Sequence, residues 1–164
     1  MPKFILKIDE KSWNAFLDQI LQPYCYEERC AWLFCDKPFC LDNKVYVFPV
    51  ENVGLKGYSK EEAFAPNRKE LQKVKRIARK KKLTRIGNLH THVLTPNYEP
   101  LDFDYDSFCL PSELDLKYAR KFNDIIRGII TVVFSKDGER GMVWDVVWHD
   151  QYGNILSRLR GGFR

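Results

Sequence analysis

The order of apolar segments predicts an α/β (α+β) fold, with a mixed, mostly antiparallel β-sheet flanked by helices. Apolar runs typical of strands alternate with segments that have apolar residues at helical spacing. Both kinds of element have an apolar face to bury, so we expect helices on the two sides of one sheet and a single continuous core. The length of 164 residues and a hydrophobic content of 45% suit one folded domain over residues 1–164.

The first half of the chain contains two helix patterns and several strand patterns. Asp9 is suited to cap the first helix, and Pro23 ends it. The second helix, over residues 66–82, has apolar residues at helical spacing on one side and basic residues on the other. The predicted strands cover residues 4–8, 30–35 and 45–50.

The second half begins with a strand over residues 83–89 that leads into a pair of histidines. A helix over residues 115–124 follows, and then two antiparallel strands, 129–134 and 141–148, joined by a turn. Residues 95–110 are polar and contain proline, so we expect an insertion there, forming a surface loop with a short edge strand. His149 is expected at the surface, and residues 157–164 are expected as a basic C-terminal tail.

The formal net charge of +5 is concentrated in one segment. Residues 68–85 contain ten Lys or Arg and one acid, a local charge of +9, so the rest of the chain sums to −4. This distribution differs from that of a protein coated with basic residues for nucleic-acid binding. We expect the basic residues to form a solvated helix face, and a docking surface for an acidic protein or a nucleic acid is the alternative.

Hydropathy and cysteine content indicate the compartment. No apolar run approaches the length needed to cross a bilayer, and the N-terminus has no secretory pattern, so we expect a soluble, cytoplasmic protein without a membrane partner. The five cysteines form none of the C-x-x-C pairs of a zinc ribbon. Reduced, partly buried thiols are expected, and a disulfide between Cys35 and Cys40 across a turn is the alternative.

Two histidines and a serine–aspartate pair form the most informative pattern. His90 and His92 lie at i and i+2 on a predicted strand, so both rings project from the same face. Asp115 would complete a set of three zinc ligands, with water in the fourth position. Each half also has a structural alternative: hydrogen-bonded core histidines, and a capping box in which Ser112 opens a helix. The capping and ligand roles are compatible.

Together with an early glutamate, these residues resemble the JAMM (JAB1/MPN/Mov34, MPN+) zinc metalloprotease family, in its prokaryotic stand-alone form. The family pattern is a glutamate on an early strand, then His-x-His, then Ser-x-x-Asp. The segment from Glu28 to Leu33 is similar to the family's Glu-x-Cys-Gly-x-Leu, and the other two motifs follow in order. Ala31 replaces the usual glycine, Val93 replaces a common proline, and the 20 positions from His92 to the serine exceed the family's usual spacing.

The resemblance implies a JAMM/MPN-like, cytidine-deaminase-like architecture and a role for each matching residue. Glu28 matches the general base that takes the proton of a zinc-activated water, and Ser112 matches the hydroxyl that stabilises the oxyanion. Glu27 is the adjacent candidate for the base, but only Glu28 precedes Cys30 by two residues, as in the motif. The residues that match the ligands of one Zn2+ per chain are His90, His92 and Asp115.

The resemblance also implies a substrate. Active members hydrolyse isopeptide or peptide bonds after the C-terminal Gly-Gly of ubiquitin or ubiquitin-like modifier proteins, so a deubiquitinase-like metallopeptidase is expected. The alternative is a weak or inactive MPN-fold scaffold that binds an acidic partner through the basic helix 68–85. A nucleic-acid-associated protein is a third candidate, and only the basic helix favours it. The sequence Arg158-Leu-Arg-Gly-Gly162 is similar to the end of ubiquitin. We expect a flexible basic tail, and the alternative is that it enters the site of its own or, through self-association, of a neighbouring molecule as pseudo-substrate or cleavage site.

Overall fold

One six-stranded sheet runs through the computed structural model, which describes residues 6–37, 43–61, 63–96 and 104–163. Helices lie before, between and after the first three strands. In chain order the described elements are α1 (Glu10–Ile20), β1 (Cys30–Cys35), β2 (Val45–Val50), α2 (Arg68–Lys80), β3 (Thr84–Leu94), α3 (Tyr105–Phe108), α4 (Glu113–Lys121), β4 (Ile126–Phe134), β5 (Gly141–His149) and β6 (Ile155–Phe163).

The strand order is β2-β1-β3-β4-β5-β6, with β3 in the interior of the sheet. All neighbouring strands are antiparallel except β3 and β4, which are parallel. The prediction of a mixed, mostly antiparallel sheet flanked by helices is therefore confirmed. His90 pairs with Cys30 of β1 on one side and with Ile129 of β4 on the other, which fixes its position at the middle of the sheet.

Alternation along β1 shows how the two faces are covered. Leu33 belongs to the larger apolar cluster together with Phe16 of α1. Phe34, the next residue, belongs to a smaller cluster with Val74 and Ala78 of α2. Because successive strand residues point to opposite faces, α1 and α2 cover opposite sides of the sheet.

Local side-chain hydrogen bonds set where the helices begin. Asp9 caps α1 as predicted, accepting from the Ser12 N–H. Asn67 caps α2 in the same way, so that helix begins at Arg68, two residues later than the pattern indicated. Ser112 caps α4, which therefore begins at Glu113 and not at Asp115.

Three expectations for the C-terminal half were wrong. Residues 105–108 form the short helix α3, where a loop with an edge strand was expected. Residues 155–163 form β6 where a tail was expected, because Arg158 pairs with the buried Asp145 of β5. His149 is fully buried and not at the surface, since β6 pairs with the strand that contains it.

Several sequence predictions concern residues outside the described ranges. Of the first strand predicted over residues 4–8, residues 4 and 5 lie outside the described ranges, and Ile8 forms an isolated parallel bridge with Val45. Cys40, needed for the alternative Cys35–Cys40 disulfide, and residues 97–103 of the insertion also lie outside them. Among the cysteines that are described, Cys25, Cys30 and Cys109 form no disulfide. None of the helices in the described ranges is long and apolar enough to span a membrane.

Candidate metal centre

Strand β3 brings the two histidines together near its C-terminal end. His90 and His92 project from the same face, and their Nε2 atoms are 3.1 Å apart. His90 is buried, whereas His92 is partly exposed. The His92 Nδ1 atom lies 2.6 Å from the backbone oxygen of Phe108, the last residue of α3. When Nδ1 donates to that oxygen, Nε2 keeps the lone pair that a metal ion needs.

Helix α4 contributes a carboxylate from its first turn. Ser112 Oγ accepts from the Asp115 N–H at 3.1 Å, and Asp115 Oδ2 accepts from the Ser112 N–H at 2.9 Å, which completes a capping box. The same carboxylate reaches the histidines, with Oδ1 3.4 Å from His90 Nε2 and Oδ2 3.7 Å from His92 Nε2. The capping interaction thus holds Asp115 against the two rings.

The spacing of these three side chains fits a zinc ion. His90, His92 and Asp115 each offer one ligand atom, and all of these atoms lie within 4.8 Å of one another. Donor atoms about 2.0–2.1 Å from a tetrahedral zinc ion lie about 3.3 Å from each other. The two Nε2 atoms, 3.1 Å apart, and the 3.4 Å from His90 Nε2 to Asp115 Oδ1 lie near that value, whereas the 3.7 Å contact of His92 Nε2 is to the other carboxylate oxygen, Oδ2. Two imidazoles and one carboxylate are also a donor set that catalytic zinc uses.

Burial and mutual attraction set the protonation of this cluster. Burial lowers the pKa of His90 to about 4, against the attraction of Asp115, so this ring is neutral at pH 7. For Asp115, burial opposes ionisation, but the two imidazoles outweigh it and lower its pKa. Burial also disfavours charge on His92, yet the hydrogen bond to Asp115 raises its pKa overall. A neutral His90 beside an ionised Asp115 is the state that a divalent cation would stabilise.

Glu28 lies in the cleft that contains the three ligands, two residues before β1 begins. Its N–H donates to the backbone oxygen of Lys60, and its own backbone oxygen accepts from the Asn52 amide, so the main chain is fixed at this point. Burial raises the pKa of its carboxyl to about 7, against the attraction of His92. The neighbouring Glu27 instead pairs with Arg29 and does not line the cleft.

The cleft lies between α2 and α4 and has a volume of about 440 Å³. Ser112 lines it as well, so the structure brings together all five residues singled out from the sequence. Its walls beyond the ligands are mostly apolar and aromatic, and three cationic residues also line it. The walls include Trp32, Phe64, Leu71, Tyr118 and Phe122, with Lys75, Arg85 and Arg127 as the cations.

A buried ionic network behind the cluster was not foreseen. Asp124, which is fully buried, pairs with Arg85 at 2.6 Å and with Arg127 at 3.4 Å. Arg127 also donates to the backbone oxygen of Asp115, so it holds the start of α4 against β4. The only sequence signal was an isolated arginine at the start of an apolar strand.

The insertion is joined to both the cluster and the last strand. The Phe108 backbone oxygen contacts His92, and Cys109 next to it is buried. Asp106, two residues before Phe108, accepts from the Arg160 guanidinium of β6. Arg158 of the same strand donates to Asp145 Oδ2 from Nε at 2.9 Å and from Nη2 at 2.7 Å.

Comparison with known proteins supports the fold alone. No protein-family model and no curated protein matches the chain. The solution structure of protein DSY2949 from Desulfitobacterium hafniense is similar over 98% of this chain and 93% of that one, with 17% identity and a TM-score of 0.56. A protein from Salinibacter ruber matches over 96% of this chain and 90% of its own, with 18% identity and a TM-score of 0.41, too low to carry an argument.

Proposed function

We propose that this protein is a JAMM-type zinc metallopeptidase with an MPN-like, cytidine-deaminase-like architecture. It hydrolyses isopeptide or peptide bonds after the C-terminal Gly-Gly of ubiquitin or ubiquitin-like modifiers. The observation that carries the proposal is the convergence of His90, His92 and Asp115 on one point, with Glu28 in the same cleft. A structural capping box would require the serine–aspartate pair alone and would not bring in two histidines and a buried glutamate.

The three ligands would hold one Zn2+ per chain. When bound, zinc acts as a Lewis acid that lowers the pKa of water toward neutrality and polarises a carbonyl. The chain orients the ligands from outside the cluster. Phe108 fixes the ring of His92 through its backbone oxygen, and Arg127 fixes the main chain of Asp115.

Glu28 and Ser112 supply the remaining chemistry. The Glu28 carboxylate accepts the proton of the attacking water and passes it to the leaving amine, for which a pKa near neutrality is suited. The Ser112 oxygen accepts from the Asp115 N–H, which leaves its own hydroxyl proton to donate to the developing oxyanion. The aromatic walls of the cleft would limit the access of bulk water to the site, other than the one attacking water.

A hydrolysis assay with matched glutamine variants tests this proposal. The substrate is a ubiquitin-like domain joined through its Gly-Gly end to a fluorophore, incubated with zinc-loaded protein. Glu28→Gln should retain zinc but lower kcat/KM by about 10²–10⁴, because the proton acceptor is lost. Glu27→Gln should cleave at the wild-type rate. Undiminished cleavage by Glu28→Gln would remove Glu28 from the mechanism, and no cleavage by the wild type of any such modifier would contradict the proposal.

A non-catalytic scaffold is the second candidate. The observation that favours it is the set of exposed cations on α2, which make no ion pair with any described residue. In a scaffold, these cations would bind an acidic partner and the metal cluster would be a structural element. Zinc binding without hydrolysis of any modifier would favour this candidate.

A further inference from the structure

Helix α2 contributes to the wall of the cleft and also to the protein surface. Leu71 and Lys75 line the cleft, while Val74 and Ala78 are buried against the sheet. Residues three or four apart in a helix lie on the same side, so Arg68 and Arg79 follow the same edge as Lys75. We call Arg68, Lys75 and Arg79 the cleft-side strip.

A second group of cations on the same helix points away from the cleft. Lys73, Arg76 and Lys80 are exposed and lie on the far side of α2 from Leu71 by the same helical spacing. We call these three residues the outer strip. The two strips have equal charge and similar exposure, and they differ in which side of the helix they occupy.

The charge of the cleft-side strip is not neutralised within the described residues. Its three residues are exposed and form no ion pair there. Lys75 Nζ lies 5.4 Å from the centroid of the Trp32 ring, which also lines the cleft, so this cation is held at the cleft wall. Arg85 stacks on the same ring at 4.2 Å, but its charge is paired with Asp124.

Exposed carboxylates lie on the segments next to the metal cluster. Asp104 and Asp106 precede Phe108, whose backbone oxygen contacts His92, and Glu113 begins α4. Asp106 is paired with Arg160, which leaves Asp104 and Glu113 without an ion pair among the described residues. A long polyanion of uniform charge, such as a nucleic acid, would be repelled by these two carboxylates, whereas a folded protein with a local acidic patch could pair with the cleft-side strip alone.

We propose that the cleft-side strip is a docking surface for an acidic patch that flanks the Gly-Gly segment of the substrate protein. The inference rests on the proposed function for the identity of that segment. The strip extends over 12 residues of helix, or about 17 Å from its first residue to its last, which matches a patch of a few carboxylates on one protein. Docking there would place the adjacent extended segment in the cleft, so the strip selects which modified proteins are cut.

Binding is tested on the Glu28→Gln protein, so that no turnover is needed. The probes are two fluorescein-labelled peptides of equal length, each with a Gly-Gly pair flanked on both sides by either glutamates or glutamines. Fluorescence anisotropy at about 50 mM NaCl, where charges are weakly screened, gives the dissociation constants. The glutamate peptide should bind about tenfold more tightly than the glutamine peptide, and about 300 mM NaCl should remove most of that difference.

Charge reversal of each strip locates the docking surface. Arg68→Glu, Lys75→Glu and Arg79→Glu together should abolish the tenfold preference for the glutamate peptide. Lys73→Glu, Arg76→Glu and Lys80→Glu together should leave it within about twofold, because these residues face away from the cleft. If the triple reversal of the cleft-side strip fails to fold, Lys75→Gln with Arg79→Gln replaces it and should lower the preference at least threefold.

Three results would overturn the inference. The first is that both strip variants lose the preference for the glutamate peptide to the same extent. The second is that the Glu28→Gln protein with both strips intact shows no such preference. The third is that it binds a labelled 20-mer DNA duplex more tightly than the glutamate peptide at the same salt. The last result would assign the helix to nucleic acid. If the glutamate preference depends on the cleft-side strip but the protein cleaves no modifier, the docking surface stands and the proposed function is contradicted. If the protein cleaves a modifier but its peptide binding does not depend on the strip, the proposed function stands and the docking surface is contradicted.

Discussion

At the scale of single residues, Glu28 is the group whose burial has the clearest consequence. Its carboxyl has a pKa of about 7 in the folded protein, above the ordinary value of 4.5, because burial disfavours the charged form. The folded state therefore binds this proton more tightly than the unfolded state does. The stabilising effect is fully present below pH 4.5 and is lost as the pH rises through 7.

Glu28→Gln, which stays neutral at every pH, should therefore be more stable than the wild type above neutrality. On metal-free protein at pH 8 we expect a gain on the order of 2 kcal/mol in the free energy of unfolding, and no difference at pH 4. Urea denaturation at both pH values measures it. Glu27→Gln is the control, since Glu27 lies outside the cleft. Equal stability of Glu28→Gln and wild type at pH 8 would mean that this carboxyl is hydrated.

The sequence revealed the site residues whose partners lie close by in the chain, and it did not reveal those whose partners are far away. His90 and His92 are two positions apart on one strand, and Ser112 and Asp115 share a capping box, so local spacing revealed both pairs. Arg127 and Asp124 escaped notice, because their roles depend on burial and on residues far along the chain. The Arg85–Asp124 pair, for example, joins residues 39 positions apart.

At the scale of elements, β6 is held to the sheet by a buried ion pair. Asp145 of β5 is 1% exposed at its side chain, and Arg158 of β6 binds it through two nitrogens. Two residues along the strand, Arg160 is half-exposed. It pairs with the exposed Asp106, and its Nε lies 3.7 Å from the same Asp145 oxygen, beyond hydrogen-bond distance. The two arginines of the ubiquitin-like segment 158–162 therefore differ in how much they contribute to the free energy of unfolding.

Replacement of each arginine by methionine tests that difference. Arg158→Met should destabilise the protein by about 3 kcal/mol, because the buried Asp145 carboxylate loses the two hydrogen bonds from Arg158 and is left with Arg160 Nε at 3.7 Å. Arg160→Met should cost less than about 1 kcal/mol, because its pair with Asp106 is exposed and its contact with Asp145 is longer than a hydrogen bond. Thermal or urea denaturation gives both values. If both variants were as stable as the wild type, residues 157–163 would be the tail expected from the sequence and not a strand.

The sequence patterns identified β1 and β2 to the residue but missed β6 and α3. The first two are apolar segments whose burial is evident from composition. The last strand contains two arginines and two adjacent glycines, a composition with low strand propensity, and it exists because it pairs with β5. The short helix α3 likewise depends on contacts made by the residues around it and not on its own periodicity.

At the scale of the whole molecule, the sheet order explains why distant motifs meet. Glu28 precedes β1, the histidines lie on β3, and Asp115 opens α4, so the cluster depends on β1 pairing with β3 and on α4 packing beside them. The sequence predicted the fold class and the elements other than α3 and β6. The position of β3 between β1 and β4 was not deducible from periodicity, since pairing is a non-local property of strands.

The central claim is that His90, His92 and Asp115 bind one zinc ion, and metal content tests it most directly. Protein saturated with zinc and then freed of excess metal should contain about one zinc per chain by mass spectrometry of the elements. His92→Ala and Asp115→Ala should each lose it, whereas Glu113→Ala, an exposed carboxylate on the same helical turn, should retain it. Wild-type protein without zinc, or ligand variants with as much zinc as the wild type, would contradict the account.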